Sequence, residues 1–260
     1  MQNGRVKSVK SIVFSPCGGT GKVLEAMTKD IPLPLEEYDV TLPAERVTAR
    51  IFAKDNLVFL GFPVYSGRVP RNAADVFGGL SGQDTPAVLV AVYGNRDYDG
   101  ALLDLHKLAS ERGFRPVAAA AAIAEHSMTS AIATGRPDVA DTAALARFGL
   151  DVLSRLQRDD SVIEAPGTYP APSATPPGAF AIQADEKCTD CGTCFQHCPS
   201  QAIAEDDLRH TDSARCIVCM ACIKYCPEKA RAFVNEAIGK MVSERLKETA
   251  SDRKEPAFFL

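Results

Sequence analysis

Nowhere in this 260-residue chain does an apolar run reach the length that spans a bilayer, and the opening Met1-Gln2-Asn3-Gly4-Arg5-Val6-Lys7 carries no apolar signal segment. A membrane span is not expected, and a reduced, cytoplasmic setting is. There is no basic stripe and no aromatic-interleaved patch, and the net charge is −4, which speaks against a nucleic-acid partner. Also missing are the Gly-x4-Gly-Lys-Ser/Thr spacing of a Walker loop and the Gly-x-Gly-x2-Gly spacing of a dinucleotide site, so direct use of a nicotinamide nucleotide is disfavoured.

What the chain does have is cysteine in order. Eight of its nine cysteines form two copies of one pattern, Cys188-x2-Cys191-x2-Cys194-x3-Cys198-Pro199 and Cys216-x2-Cys219-x2-Cys222-x3-Cys226-Pro227. Three thiolates two residues apart wrap one cubane from a single loop, while the fourth, before a proline, points to another cubane. The pattern therefore reads as two [4Fe-4S] clusters. Zinc would use four tetrahedral ligands and leave the third cysteine of each run idle, and a disulfide framework does not suit a reduced compartment. The two copies, with Ala202 and Ala230, are offset by 28 residues throughout, so this unit is an internal duplication. It is too small for much of a core, and the clusters must supply cohesion. It resembles bacterial two-cluster ferredoxins, and that resemblance assigns Cys188, Cys191, Cys194 and Cys226 to one cluster, and Cys216, Cys219, Cys222 and Cys198 to the other.

A larger unit precedes it. With 46% hydrophobic and 24% charged residues, the chain has material for a full globular domain plus a small one. The proline-rich stretch Ala165 to Gly178 cannot be regular helix or central strand. The expected division is a first domain over 1–162, a linker over 163–179, a ferredoxin-type domain over 180–234, and a C-terminal helix and tail over 235–260. Within the first domain, Val9 to Phe14, Asn56 to Gly61, Pro86 to Tyr93 and Val117 to Ala124 read as buried strands, with a weaker one near Tyr38 to Leu42. Helical stretches at Gly21 to Lys29, Arg71 to Leu80, Gly100 to Arg112 and Asp138 to Arg158 alternate with them. Five strands and alternating helices predict a doubly wound parallel α/β sheet, followed by a small α+β domain.

In such a sheet, ligands sit outside the carboxyl ends of the strands. The first strand runs into Ser15-Pro16-Cys17-Gly18-Gly19-Thr20-Gly21-Lys22, rich in glycine and hydroxyls and opening a helix, which suits a phosphate. This loop resembles the Ser/Thr-x-Thr-Gly-x-Thr phosphate loop of flavodoxins through Ser15, Gly18 and Thr20, with Gly19 at the variable position and Cys17 replacing a threonine. A thiol donates more weakly than a hydroxyl. Two further loops fit the comparison: Pro63, Val64, Tyr65, Ser66 and Gly67 after the third strand, and Tyr93, Gly94, Asn95, Arg96 and Tyr98 after the fourth. In flavodoxins these places flank the isoalloxazine ring, so FMN is the implied cofactor. Tyr65 and Tyr98 are the stacking candidates, Tyr98 preferred; the other reading is that both merely pack.

His126, after the fifth strand, falls on the same edge. It could bond the flavin, relay a proton as a catalytic group, or touch the second domain; a packing role is the alternative. Cys17, at a helix amino terminus, is read as an inert replacement for threonine rather than a reactive thiol. Residues 1–160 hold 19 acids and 18 Lys/Arg, near neutrality, and Arg68, Arg71 and Arg96 near the flavin loops would favour an anionic reduced flavin. Asp97 and Asp99 oppose this in part. Electrons are accordingly expected to flow from clusters to flavin. Residues Asn235 to Asp252 read as an amphipathic helix with Ala237, Ile238, Met241, Val242 and Leu246 on one face, and the end Ala257-Phe258-Phe259-Leu260 is expected to dock.

Taken whole, the chain resembles flavodoxin/ferredoxin fusion proteins of anaerobic bacteria. The resemblance implies electron transfer with FMN and two [4Fe-4S] clusters, converting between one- and two-electron steps, with redox donor and acceptor proteins or a small-molecule acceptor as partners. Two alternatives stay open: a flavin-dependent reductase of a small molecule fed by its own clusters, and a two-cluster ferredoxin whose first domain only docks.

Overall fold

The computed structural model describes residues 6–171 and 180–260. The opening segment 1–5 and the stretch 172–179 of the expected linker lie outside the described residues. In chain order the first part contains β1 (Ser8–Val13), α1 (Gly19–Thr28), β2 (Leu35–Asp39), β3 (Arg50–Phe52), β4 (Asn56–Pro63), α2 (Ala73–Gly78), β5 (Leu80–Gly82), β6 (Thr85–Tyr93), α3 (Ala101–Glu111), β7 (Phe114–Ile123) and α4 (Val139–Leu156). The second part adds β8 (Ile182–Ala184), α5 (Thr193–Gln196), α6 (Ala221–Lys224), β9 (Arg231–Phe233), α7 (Glu236–Ala250) and β10 (Ala257–Phe259).

The main sheet has the order β10-β7-β6-β4-β1-β2, with β2, β1, β4, β6 and β7 all parallel. Counting only those five, this is the 2-1-3-4-5 order of the flavodoxin-like fold. Every residue of β6 is buried, as a central strand covered on both faces requires. On one face α1 and α4 bring Val23, Leu24, Met27, Leu145, Phe148 and Val152 onto the sheet. On the other, Phe77 of α2 and Leu102 and Leu105 of α3 pack with Phe14, Leu60, Phe62 and Leu89.

Two features go beyond the sequence expectation. The five parallel strands gain a sixth, β10, which pairs antiparallel with β7 through Ala257–Ala121, Phe258–Ala120 and Phe259–Ala119. Alternation sends Phe258 to the α4 face, where it stacks on Phe148 with ring centroids 4.6 Å apart. The chain's own tail thus covers an edge that would otherwise offer unpaired backbone groups. Secondly, β3 and β5 form a small parallel pair, so Leu80, expected at a helix end, is a strand residue. Three-residue strands are too short to show a period.

Among the described residues, the second part holds the pair β8–β9 and a small buried cluster of Ile182, Cys194, Ile203, Met220 and Cys222. Its duplication appears in bonding as well as spacing. Ala202 N–H donates to Cys198 Sγ at 3.2 Å, and Ala230 N–H to Cys226 Sγ at 3.3 Å. The described linker residues are tied to the first part: Ile163 N–H bonds Pro116 O at 3.0 Å, Thr168 N–H bonds Asp99 O at 3.2 Å, and Tyr169 lies under the Arg68 guanidinium at 4.4 Å.

Candidate functional site

The loops at the carboxyl edge of β1, β4, β6 and β7 open onto one cavity of about 1080 Å³, large enough for a cofactor of drug-like size, for which about 300–1,000 Å³ is usual. Helix α1 starts at its floor with Gly18 at φ 83°, no side-chain cap and no acid in the first turn. Ser15 Oγ accepts from Gly21 N–H at 3.0 Å, and Lys22 N–H is taken by Gly18 O at 3.2 Å. The amides of Gly19 and Thr20 have no acceptor among the described residues, and both residues line the cavity. Unmet donors at a positive helix end suit a phosphate. The contrast is α4, where Asp138 and Asp141 cap each other and close the amino terminus.

The cavity brings together most of the sequence-predicted flavin residues: Ser15, Cys17, Gly19 and Thr20 from the first loop, Pro63 through Gly67 from the second, Tyr93, Gly94 and Arg96 from the third, and His126 from the fourth. Gly67, at φ 77°, could carry no side chain, because a Cβ would fall 2.1 Å from the Asp99 carboxylate. Gly18 shapes the turn without lining the cavity. Two expectations are corrected. Tyr98 does not face the cavity: its ring packs edge-on against Tyr93, centroids 6.0 Å apart, and beside Gly167. Asn95, 1% exposed, gives its amide to the carbonyls of Ala250 and Asp252 at 2.6 and 2.8 Å and accepts from Lys254 N–H at 3.2 Å. It anchors the C-terminal segment, not a flavin edge.

Tyr65 remains, and burial, with the Cys219 and Cys17 thiols close by, pushes its hydroxyl well above the usual range. His126 packs its ring on Gly94, where a Cβ would clash at 2.3 Å. Its Nδ1 accepts from Met128 N–H at 3.1 Å, which leaves the proton on Nε2. Burial, then the charge of Arg96, lowers its pKa, so a neutral imidazole with an Nε2 donor lines the cavity.

The electrostatic expectation is also revised. Arg68 forks onto Asp104 at 2.6 and 2.7 Å, and Arg96 pairs with Asp99, so two of the three arginines are neutralised. Arg71 donates to the Cys216 carbonyl.

That last bond belongs to a set that joins the two parts. Cys17 Sγ–H donates to Cys219 O at 3.1 Å, Lys224 Nζ donates to Cys17 O at 2.6 Å, and Arg46 and Asn72 both reach Pro199 O, at 2.9 and 3.3 Å. Ile217, Cys219 and Ala221 belong to the same apolar cluster as Phe14 and Phe62. Burial pushes the Cys17 thiol up to about 11, against the pull of Lys224, so it is an inert thiol at neutral pH. Cys216, Val218, Met220 and Lys224 line the flavin-type cavity, with Val242 and Leu246 of α7 at another wall. Of the expected apolar face of α7, Ala237 and Met241 are exposed instead. None of these partnerships has a local signal, since Cys17 and Lys224 lie 207 residues apart.

Cys188, Cys191, Cys194 and Cys226 wall one small pocket. Burial, with a smaller contribution from the Cys198 thiol, pushes the thiols of Cys216, Cys219 and Cys222 above the usual range. All nine cysteines are free thiols. Eight cysteines in this spacing equal the number of ligands that two cubanes take. No helix among the described residues is long and apolar enough to cross a membrane.

Residues 187–231 match the family described as the 4Fe-4S dicluster domain, so an iron-sulfur unit stands there. No curated protein matches the chain. Among solved structures it is similar to a flavodoxin from the domain Archaea, at 16% identity over 58% of this chain and 99% of that one with a TM-score of 0.38. It is also similar to rubredoxin oxygen:oxidoreductase from the anaerobe Desulfovibrio gigas, at 11% identity over 60% and 38% with a TM-score of 0.37. A third is the Streptococcus pneumonia TIGR4 flavodoxin, at 14% identity over 57% and 98% with a TM-score of 0.36.

Proposed function

We propose that this chain, a flavodoxin-like domain joined to a 4Fe-4S dicluster domain, is an electron-transfer protein that relays electrons between two [4Fe-4S] clusters and FMN. The observation that carries the reading is the shared cavity: the second cysteine run walls the space that the flavin-type loops open onto, with Cys17 bonded to Cys219 across the junction. Cys188, Cys191, Cys194 and Cys226 would hold one cluster, and Cys216, Cys219, Cys222 and Cys198 the other. The amides of Gly19 and Thr20 would take the FMN phosphate, and Lys224, an ammonium with two donors left after its bond to Cys17 O, would face it from the other domain. Tyr65 would lie against the ring. When bound, FMN supplies storage of two electrons between one-electron carriers. The chain's residues fix the distance between carriers and keep Cys17 out of the chemistry.

Anaerobic purification followed by a count of flavin, iron and sulfide tests this: one FMN and about eight irons per chain, the content of two cubanes, is the expected result. Full iron without flavin, even after FMN is added, would leave a ferredoxin with a docking domain.

The cavity favours a second reading, reduction of a small molecule beside the flavin, because it continues past the loops to Met128, Val242 and Leu246 and carries the Nε2 donor of His126. Steady turnover with an identified substrate, slowed in His126→Gln, would support it.

A further inference from the structure

Arg231 opens β9 and is 3% exposed. Its mate in the duplication, 28 residues earlier, is Ile203, buried at 2%, so the fold itself needs no charge at this place. Nη1 donates to Leu208 O at 2.6 Å and lies 3.5 Å from Cys194 Sγ, and Nη2 donates to the Thr211 hydroxyl. Cys222 shares a buried cluster with Cys194 and sits on α6, which packs against β9. Cys194 and Cys222 are themselves repeat mates, one from each run, so Arg231 stands where the two halves meet. Among the described residues its bonds go to a carbonyl, a hydroxyl and one thiol, none to a carboxylate. Its Nε, buried, has no partner among the described residues.

A buried cation without a counter-charge costs several kcal/mol, and an unmet buried donor adds to that. Both costs vanish if anionic groups occupy the two thiolate sets. We propose that Arg231 is the counter-cation shared by the two clusters, its Nε–H donating to cluster sulfur, and that it raises both reduction potentials. The inference rests on the reading that both cysteine sets hold [4Fe-4S] clusters. Reduction adds one electron to a cluster and moves no proton, so each reduced cluster carries one more negative charge. A cation beside it favours that state, and a hydrogen bond to sulfur acts in the same direction.

The test is an EPR-monitored titration with dithionite on anaerobically purified Arg231→Gln and Arg231→Lys, with iron counted in each. With iron complete, the Gln variant should shift both reduction equilibria at least about tenfold toward the oxidised state, or about 59 mV for a one-electron couple, and the Lys variant by less. Unchanged couples in an iron-replete Gln variant, or a shift at one cluster only, overturn the proposal. If the Gln variant loses its iron, native protein labelled with 15N-arginine decides: an Nε–H resonance shifted by the cluster spin and absent from Arg231→Lys supports it, and one at an ordinary position overturns it. A native chain without iron overturns the cluster reading as well, and the iron count reveals that separately.

Discussion

The two cysteine runs share one spacing and differ in what packs against them. In the first, Cys191 is exposed and the Cys188 carbonyl is held by Arg209 at 2.9 Å, within its own domain. In the second, Cys219 is buried, its carbonyl takes the Cys17 thiol, and Ile217 and Ala221 enter the core of the other domain. Spacing determines how many thiolates meet a cluster; packing determines what that cluster faces. On this contrast the second run walls the proposed flavin cavity and the first does not.

The strongest way to break the contrast is to remove iron. Chelation should unfold the small unit outright, since its own buried cluster among the described residues is small and bound clusters would supply its folding energy, while the sheet of the first part survives. Circular dichroism with limited proteolysis checks this; an intact small unit without iron contradicts it. Single ligands come next. Cys191→Ala and Cys219→Ala should each lose about four of about eight irons, but only Cys219→Ala should also release FMN. Cys198→Ala should strike the cluster of the second run. Release of FMN by Cys191→Ala would erase the distinction between the runs.

Lys224→Gln probes the same boundary more gently. Loss of a charge-assisted contact should weaken FMN binding about tenfold or somewhat more, measured by flavin fluorescence, whereas Lys187→Gln beside the first run should leave it unchanged. The smallest effect concerns His126. Burial and Arg96 lower its folded pKa, so the unfolded chain takes up the proton first, and stability should fall as pH drops below about 6.5 toward the folded value. Denaturant midpoints between pH 5 and 7 should show this slope in the native chain and a shallower one in His126→Gln.

Much of this was legible in the sequence, and unevenly. Cysteine spacing is dictated by cluster geometry and needs no tertiary context. The central parallel strands announce themselves because strands buried on both faces are continuous apolar runs, as in β6 and the alanines of β7, whereas the exposed edge strand β2 lies at Leu35–Asp39, upstream of the expected Tyr38 to Leu42. The loop that opens α1 shows because its turn places glycine and hydroxyl residues together. Side-chain direction is another matter. The sequence favours Tyr98 over Tyr65 for stacking, yet Tyr98 turns to Tyr93, and Asn95 is claimed by a tail 155 residues away. β10 spans three residues, too few for a period, and becomes a strand only because β7 presents an edge. Arg231 follows the last cysteine run like any strand residue; only burial and its unpaired Nε distinguish it.

The central claim is that electrons pass between clusters and flavin within one chain. Anaerobic stopped-flow mixing with less than one equivalent of a one-electron reductant tests it directly, by following cluster bleaching and flavin absorbance together. The expected result is cluster reduction followed by flavin reduction at a rate that does not change with protein concentration. A flavin rate that rises in proportion to protein concentration, or a flavin that stays oxidised while the clusters bleach, would contradict it.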